Sequence, residues 1–297
     1  MHLNLRQLRI FSAVADAGSL REAARRLHIT QPAITHTMQE LERSVGAQLI
    51  KRSAKGITLS DIGIALLRRA RTVCNEVQRT EDEMAQLRDG VGGQLRIALS
   101  SAAAAFLLPR ALPSFRAQRL GVALDLRELS WPEQDDRWQS GMYDFAVFNV
   151  LDEQALGDWE HERLLTRPLN VIARVGHPLA QAHSIVELQQ SWWLVPGYGV
   201  EVLQRVFATK RKPPPNDISA CQSWNVVSAL VSSTDALTLL ASDSHPCAVK
   251  LHDFIQLPIV EKLPEVHLSI VTRSFDALTP VAALFANCLR QVAAQAR

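Results

Sequence analysis

Gln31, Thr35, His36 and Gln39 fall along one edge of a short helical stretch, and all four can donate or accept hydrogen bonds without a fixed charge. Base edges in a major groove ask for that chemistry, whereas a merely solvated helix face ordinarily carries Glu and Lys. Thr30 stands where an N-cap belongs, and Pro32 falls in the first turn, where a missing N–H costs nothing. That turn also presents free backbone N–H groups and a positive dipole end to a phosphate. The opposite stripe is apolar, with Ile34, Met38, Leu41 and Val45 at buried-face spacing and Gly46 as a stop. Upstream, Ser19 and Glu22 have the spacing of a capping box, opening a two-turn helix whose apolar face is Leu20, Ala23, Ala24 and Leu27. Two short helices joined at His28-Ile29 are either a helix-turn-helix, with the second helix in the groove, or one helical hairpin of an ordinary α-rich domain.

The elements around this pair favour the first reading. Leu5, Leu8, Ile10, Phe11 and Val14 make an amphipathic first helix able to close a three-helix core. Residues 49–59 read as strand, basic turn, strand, the pattern of a wing, with Arg52 and Lys55 available to phosphates or an adjacent minor groove. Charge is unevenly spread along the 297 residues: positions 1–72 carry 12 Lys/Arg against 5 Asp/Glu, and the rest carries 20 against 25. A basic N-terminal quarter on an otherwise slightly acidic chain points to a polyanionic partner for that quarter.

These residues resemble the LysR-type transcriptional regulators. The resemblance rests on Leu8, Phe11, Val14, Gly18-Ser19, Ala23-Ala24, Leu27, Thr30-Gln31-Pro32-Ala33, Leu41-Glu42, Gly46, Leu49, Arg52 and Thr58-Leu59-Ser60 to Gly63. Departures are conservative hydroxyl exchanges, Ile50 where Phe is common, and His36 where Arg often reaches DNA. The resemblance implies a bacterial regulator of operator DNA, with a winged helix-turn-helix at 1–60, a linker helix at 61–89 and an effector-binding domain at 90–297. Its DNA-contacting positions here would be Ser19, Thr30, Gln31, Pro32, Thr35, His36, Gln39, Arg52 and Lys55.

From 61 to 89 there is no Pro and one Gly, and Leu66, Ala70, Val73, Val77, Thr80, Met84 and Leu87 follow strict 4-3 steps. That is a heptad seam of about three repeats. It packs either on the chain's own second domain or on a copy in another subunit. The family implies the copy, and with it a homodimer, a homotetramer and a contact to RNA polymerase.

Beyond a Gly-rich joint the pattern changes to strands at 94–99, 122–129 and 145–150 alternating with helices at 102–120 and 133–140, which predicts a parallel sheet. Residues 163–175 cross into a second stretch, with strands at 192–195, 237–241 and 266–272 and helices at 200–209, 226–232 and 280–294. The motifs 141–147 and 177–180 resemble the family's two-lobed α/β effector domain, similar to periplasmic binding proteins. That implies lobe I at 91–162 plus 268–297 and lobe II at 163–267.

Ligands in such folds sit at strand C-termini in the crevice between lobes. Those ends carry Ser100, Ser101, Ser130, Trp131, Phe148, Asn149, Tyr198, Gly199, Trp224 and Asn225. Hydroxyls, flat rings and no Arg or Lys among them suit an aromatic or other small organic acid rather than a dicarboxylate. The alternative is that the serines cap helices and the tryptophans are core.

Two other classes fit worse. The nine His are dispersed, and there is no Gly-x-Ser-x-Gly, Walker loop or H-E-x-x-H, so no catalytic residue is assigned and no enzyme is expected. Cys74, Cys221, Cys247 and Cys288 lack metal or redox spacing, so no metal and no cofactor beyond the effector is expected. A solute-binding protein would need an export signal and would not carry a basic helix-turn-helix. No apolar run approaches a membrane span, so the expectation is a cytoplasmic protein, nucleoid-associated when on DNA.

Overall fold

The computed structural model describes residues 2–53, 56–89, 93–119, 121–129, 138, 140–241 and 253–296. It divides into two units, residues 1–90 with 133–143, and 91–132 with 144–297.

In the first unit α1 (Leu5–Ala17), α2 (Leu20–Leu27) and α3 (Gln31–Val45) close on Phe11, Val14, Ala23, Ile34, Met38 and Leu41. A hairpin follows, β1 (Ile50–Ser53) and β2 (Gly56–Leu59), in register Ile50 to Leu59. Glu42 locks it to α3, its carboxylate accepting the Leu49 N–H at 2.8 Å. Local chemistry explains the helix ends. Thr30 accepts the Ala33 N–H, and Gly46 terminates α3 at a left-handed φ of 78°. The capping box expected at Ser19 is only half made: Ser19 accepts the Glu22 N–H, but the Glu22 carboxylate turns outward to Arg25 and Arg26. Those hydrogen bonds, Arg25 first, hold the Glu22 carboxyl at about 2. The complete box belongs to α1, between Asn4 and Gln7.

α4 (Asp61–Asp89) leaves this unit with three different faces. Leu66, Leu67 and Ala70 belong to the winged core, and the pairs Arg71–Asp16 and Arg9–Glu81 bind the helix to α1. Leu66 and Ala70 are therefore not seam residues open to a second copy; they face their own domain. A second face holds residues 138–143: Asn75 donates to the Ser140 carbonyl at 3.0 Å and Arg79 to that of Tyr143, with Trp138 and Tyr143 buried. Residues 133–143, read from the sequence as part of lobe I, group with this unit; of the helix expected at 133–140 only 138 and 140 are described. Val73, Met84 and Leu87 lie on a third face, 45%, 53% and 64% exposed.

The second unit is built on β3 (Gln94–Leu99), β4 (Ala123–Glu128), β5 (Phe145–Val150), β6 (Glu160–Arg174), β9 (Thr238–Ala241), β10 (Phe254–Gln256) and β11 (Glu265–Thr272). The sheet runs β10-β6-β11-β5-β3-β4, with β9 also on β6. Only β3 with β4 and with β5 is parallel; every pairing through β6 and β11 is antiparallel. The sheet is thus mixed rather than parallel, because β6 carries the chain out of one lobe and β11 returns it alongside. The helix expected over 102–120 is two, α5 (Ser101–Phe106) and α6 (Leu108–Gln118), restarted where Pro109 enters a first turn.

Two hydrophobic cores lie on this frame. One gathers Leu95, Ile97, Phe115, Phe145 and Leu268 with Phe285 and Leu289 of α9 (Pro280–Gln295). Phe285 meets Phe115 edge-on at 5.0 Å. The other gathers Val171 and Val266 with Trp193 and Val195 of β7 (Trp193–Val195) and Leu203 and Phe207 of α7 (Gly197–Thr209). β7 pairs in parallel with β8 (Ile218–Ala220), and α8 (Trp224–Ser233) covers a smaller cluster. Among the described residues only β6 and β11 contribute side chains to both cores. Among the described residues no helix is long and apolar enough to cross a membrane.

Candidate nucleic-acid interface and effector cleft

On α3 the structure brings Thr30, Gln31, Pro32, His36 and Gln39 onto one exposed edge beside the helix N-terminus. Their opposite face is held by Ile34, Met38 and Leu41, each essentially fully buried, so the edge is presented by a fixed helix. Thr35 is half-buried and its hydroxyl donates to the Gln31 carbonyl at 3.0 Å, which leaves its lone pairs for a base or phosphate. His36 Nδ1 lies 3.7 Å from Glu40 Oε2 one turn on. Ser19 stays half-buried as the cap of α2. Arg52 lies in β1, where its side chain is outside the described residues, as is the whole of Lys55.

The cleft residues are brought together less completely. A cavity of about 10 Å³, room for one water, lies where the lobes meet. Phe106, Leu165 and Leu268 line it from one core and Ala241 and Val266 from the other, with Asn149 and Arg167 as its polar groups. Asn149, at the end of β5, hydrogen-bonds the Tyr198 hydroxyl from α7. Ser100 caps α5 through the Ala103 N–H, and Ser101 is bonded to Glu128. Phe148 is buried. Gly199 serves packing: a Cβ there would stand 2.6 Å from the Val195 side chain. Trp224 packs in the separate cluster with Trp192 and Cys221, and Asn225 is exposed. Ser130 and Trp131 lie outside the described residues.

Two family models match the chain: "Bacterial regulatory helix-turn-helix protein, lysR family" over residues 5–64 and "LysR substrate binding domain" over 88–294. The chain belongs to the LysR family of transcriptional regulators. A RuBisCO operon transcriptional regulator of Allochromatium vinosum is 31% identical over 62% of this chain and 60% of its own length. An SDS degradation transcriptional activation protein of Pseudomonas sp. is 28% identical over 81% and 79%. Among solved structures, ArgP from Mycobacterium tuberculosis (TM-score 0.72, 19% identity, 98% of each chain) has the same fold. So does full-length CbnR complexed with its target DNA (TM-score 0.68, 23% identity, 98% of this chain and all of that one). This chain is therefore a DNA-binding regulator with an effector-binding domain, and not an enzyme.

In this LysR regulator the residue that sequence reasoning missed is Arg167. The reading from strand ends found no cation for the cleft, yet one lines it. The available signal was a single charged residue, Arg167, in the mostly apolar run Leu164 to Leu169 that crosses between lobes. The thiols of Cys74 and Cys288 are pushed up by burial, which makes both poor nucleophiles; Cys247 is outside the described residues. Among the described residues no His, Cys, Asp and Glu cluster could hold a metal.

Tyr198 supplies a direct check on cleft closure. Burial pushes its phenol up to about 12, opposed by the hydrogen bond with Asn149. A raised pKa means that the neutral form stabilises the fold below the ordinary value of 10 and that this support is lost as pH climbs toward 12. In an ultraviolet difference titration, wild type minus Tyr198→Phe, no phenolate signal is expected at pH 10. A half-ionised phenol at that pH would mean the Asn149–Tyr198 closure is open in solution.

Proposed function

We propose that this regulator reads operator DNA with the exposed α3 edge, holding base edges with Gln31, Thr35, His36 and Gln39. The observation that carries this is an uncharged polar edge next to an unobstructed helix N-terminus, on a helix whose other face is core. Ser19, Thr30 and Pro32 lie at the helix starts that would meet the phosphate backbone, and Arg52 and Lys55 of the wing would add cations to it. The third face of α4, with Val73, Val77, Met84 and Leu87, pairs with a second copy, so that two heads meet an inverted repeat. Two such dimers form a tetramer, a small organic acid in the cleft biases its arrangement, and RNA polymerase is the downstream partner. The protein works in the cytoplasm, on the nucleoid when bound. A ligand shifts such an equilibrium only by its difference in affinity for the two arrangements.

Gel shifts on inverted-repeat and scrambled duplexes over a salt series test the reading. Binding is expected to weaken steeply as salt rises. Gln31→Ala should lose about 1–3 kcal/mol of discrimination between the duplexes while non-specific binding persists. Thr35→Ala should lose less, since its hydroxyl already serves the Gln31 carbonyl. Unchanged discrimination in Gln31→Ala would remove α3 as the reading element.

A further inference from the structure

We infer that Arg167 is the counter-charge of the effector cleft and that the effector is a small monocarboxylic acid with a compact apolar body. This rests on the reading of the interlobe cleft as the effector site. Arg167 sits in β6 opposite Val266 of β11, at the point where the two strands pass from one core to the other. It is half-buried, and its partners are backbone carbonyls: Nη1 donates to Thr166 at 3.0 Å and Nη2 to Ala296 at 2.8 Å. Among the described residues no carboxylate pairs with it, in contrast to Arg163, Arg174 and Arg290 of the same unit, each of which has one.

Two carbonyls fix the plane of a guanidinium without neutralising it, and three of its five N–H groups remain unspent. With no carboxylate beside it among the described residues, the guanidinium can give a carboxylate at this otherwise apolar cavity a charge-assisted, two-pronged hydrogen bond. The other walls are Phe106, Leu165, Ala241, Val266 and Leu268, with Asn149 the single neutral polar group. One cation matches one carboxylate; a second carboxylate would be driven against hydrocarbon. The cavity holds one water, so an acid enters with its head group at Arg167 while the lobes part around its body.

The test uses the full-length protein, calorimetry and thermal shift, with monocarboxylates from butyrate to benzoate. Each acid is paired with its own amide and with a dicarboxylate of similar length. At least one acid is expected to bind and raise the melting temperature, its amide and dicarboxylate binding at least tenfold more weakly. Arg167→Gln should lose at least tenfold in affinity for that acid, Arg167→Lys should recover part of it, and Ala241→Val, which fills the cavity, should abolish binding. If no acid binds, or the amide binds as well as the acid, the inference is wrong; both outcomes are read on the wild type and do not depend on the variants folding. If Ala241→Val abolishes binding and Arg167→Gln does not, the cleft reading stands and Arg167 is not the counter-charge. If neither variant changes binding, the cleft reading falls too.

Discussion

Gly63→Ala is expected to destabilise the winged unit by about 3 kcal/mol or more and to abolish operator binding. Ordinary propensity argues the other way. Gly63 lies in the first turn of a 29-residue helix without a left-handed φ, and alanine inside a helix is normally worth about 1 kcal/mol over glycine. Here a Cβ would stand 2.2 Å from the Leu49 carbonyl oxygen and 3.1 Å from its carbon, and both are backbone atoms that cannot rotate aside. That carbonyl is also committed, since it accepts the Ser60 N–H at 3.0 Å. The Ser60 hydroxyl meanwhile donates to the Gln48 carbonyl and accepts the Gly63 N–H. Making room for one methyl group therefore pulls α4 from the hairpin and strains the Glu42 anchor that joins the hairpin to the recognition helix. Thermal unfolding and a gel shift of the variant check this. Gly46→Ala is the comparison: it meets nothing within 4 Å, so its cost is only the left-handed φ, about 1–2 kcal/mol. If Gly63→Ala melts with the wild type, the close approach of α4 to Leu49 does not exist in solution.

How far the sequence could be read depended on how local the deciding interactions are. α3 was legible from Thr30, Pro32 and Gly46, because cap, first turn and stop each act within a few residues. The box at Ser19 was misread for a physical reason: a Glu three residues into a helix can serve the cap or pair with Arg at i+3 and i+4, and charge-assisted bonds to Arg25 and Arg26 won. The three parallel strands followed from alternation. The antiparallel return of β11 on β6 could not be seen, because it joins segments about a hundred residues apart, and three-residue strands such as β8 and β10 carry too little pattern to notice.

The cleft divided in the same way. Strand-end reasoning placed Asn149 and Tyr198 at the lobe junction, since both follow directly from where β5 and β7 stop. It overlooked Arg167, which is mid-strand and becomes a wall only because β6 threads both cores. It also gave Gly199 a ligand role that belongs to the packing of α7 on Val195. Composition cannot separate those two uses of glycine, because both require the same missing Cβ.

If α4 pairs with a second copy as proposed, Val73→Asp combined with Leu87→Asp is expected to yield monomers that still fold. The seam spacing from Leu66 to Leu87 describes one stripe, but the structure divides it. Ala70, 1% exposed, is core of the winged domain, so Ala70→Asp would bury an unpaired charge and unfold the unit. Val73 and Leu87 touch no such core and remain 45% and 64% exposed, so a charge there costs the isolated chain little. Within the first unit α1, Ser140 and Tyr143 take the other two faces of α4, and the proposed pairing buries this stripe against a second molecule. Across a two-fold axis each Asp meets apolar surface and the partner's own Asp, costing several kcal/mol in all and raising the dimer dissociation constant on the order of a thousandfold. Sedimentation velocity reads that directly. The functional effect should be selective: linking two heads multiplies affinity by roughly 10²–10⁴ without any new contact, so binding to a full inverted repeat should fall by that factor while binding to an isolated half-site is unchanged. Intact dimers in the double variant would assign the exposed stripe some other partner, and equal losses on full and half sites would mean that the substitutions had damaged the reading heads themselves.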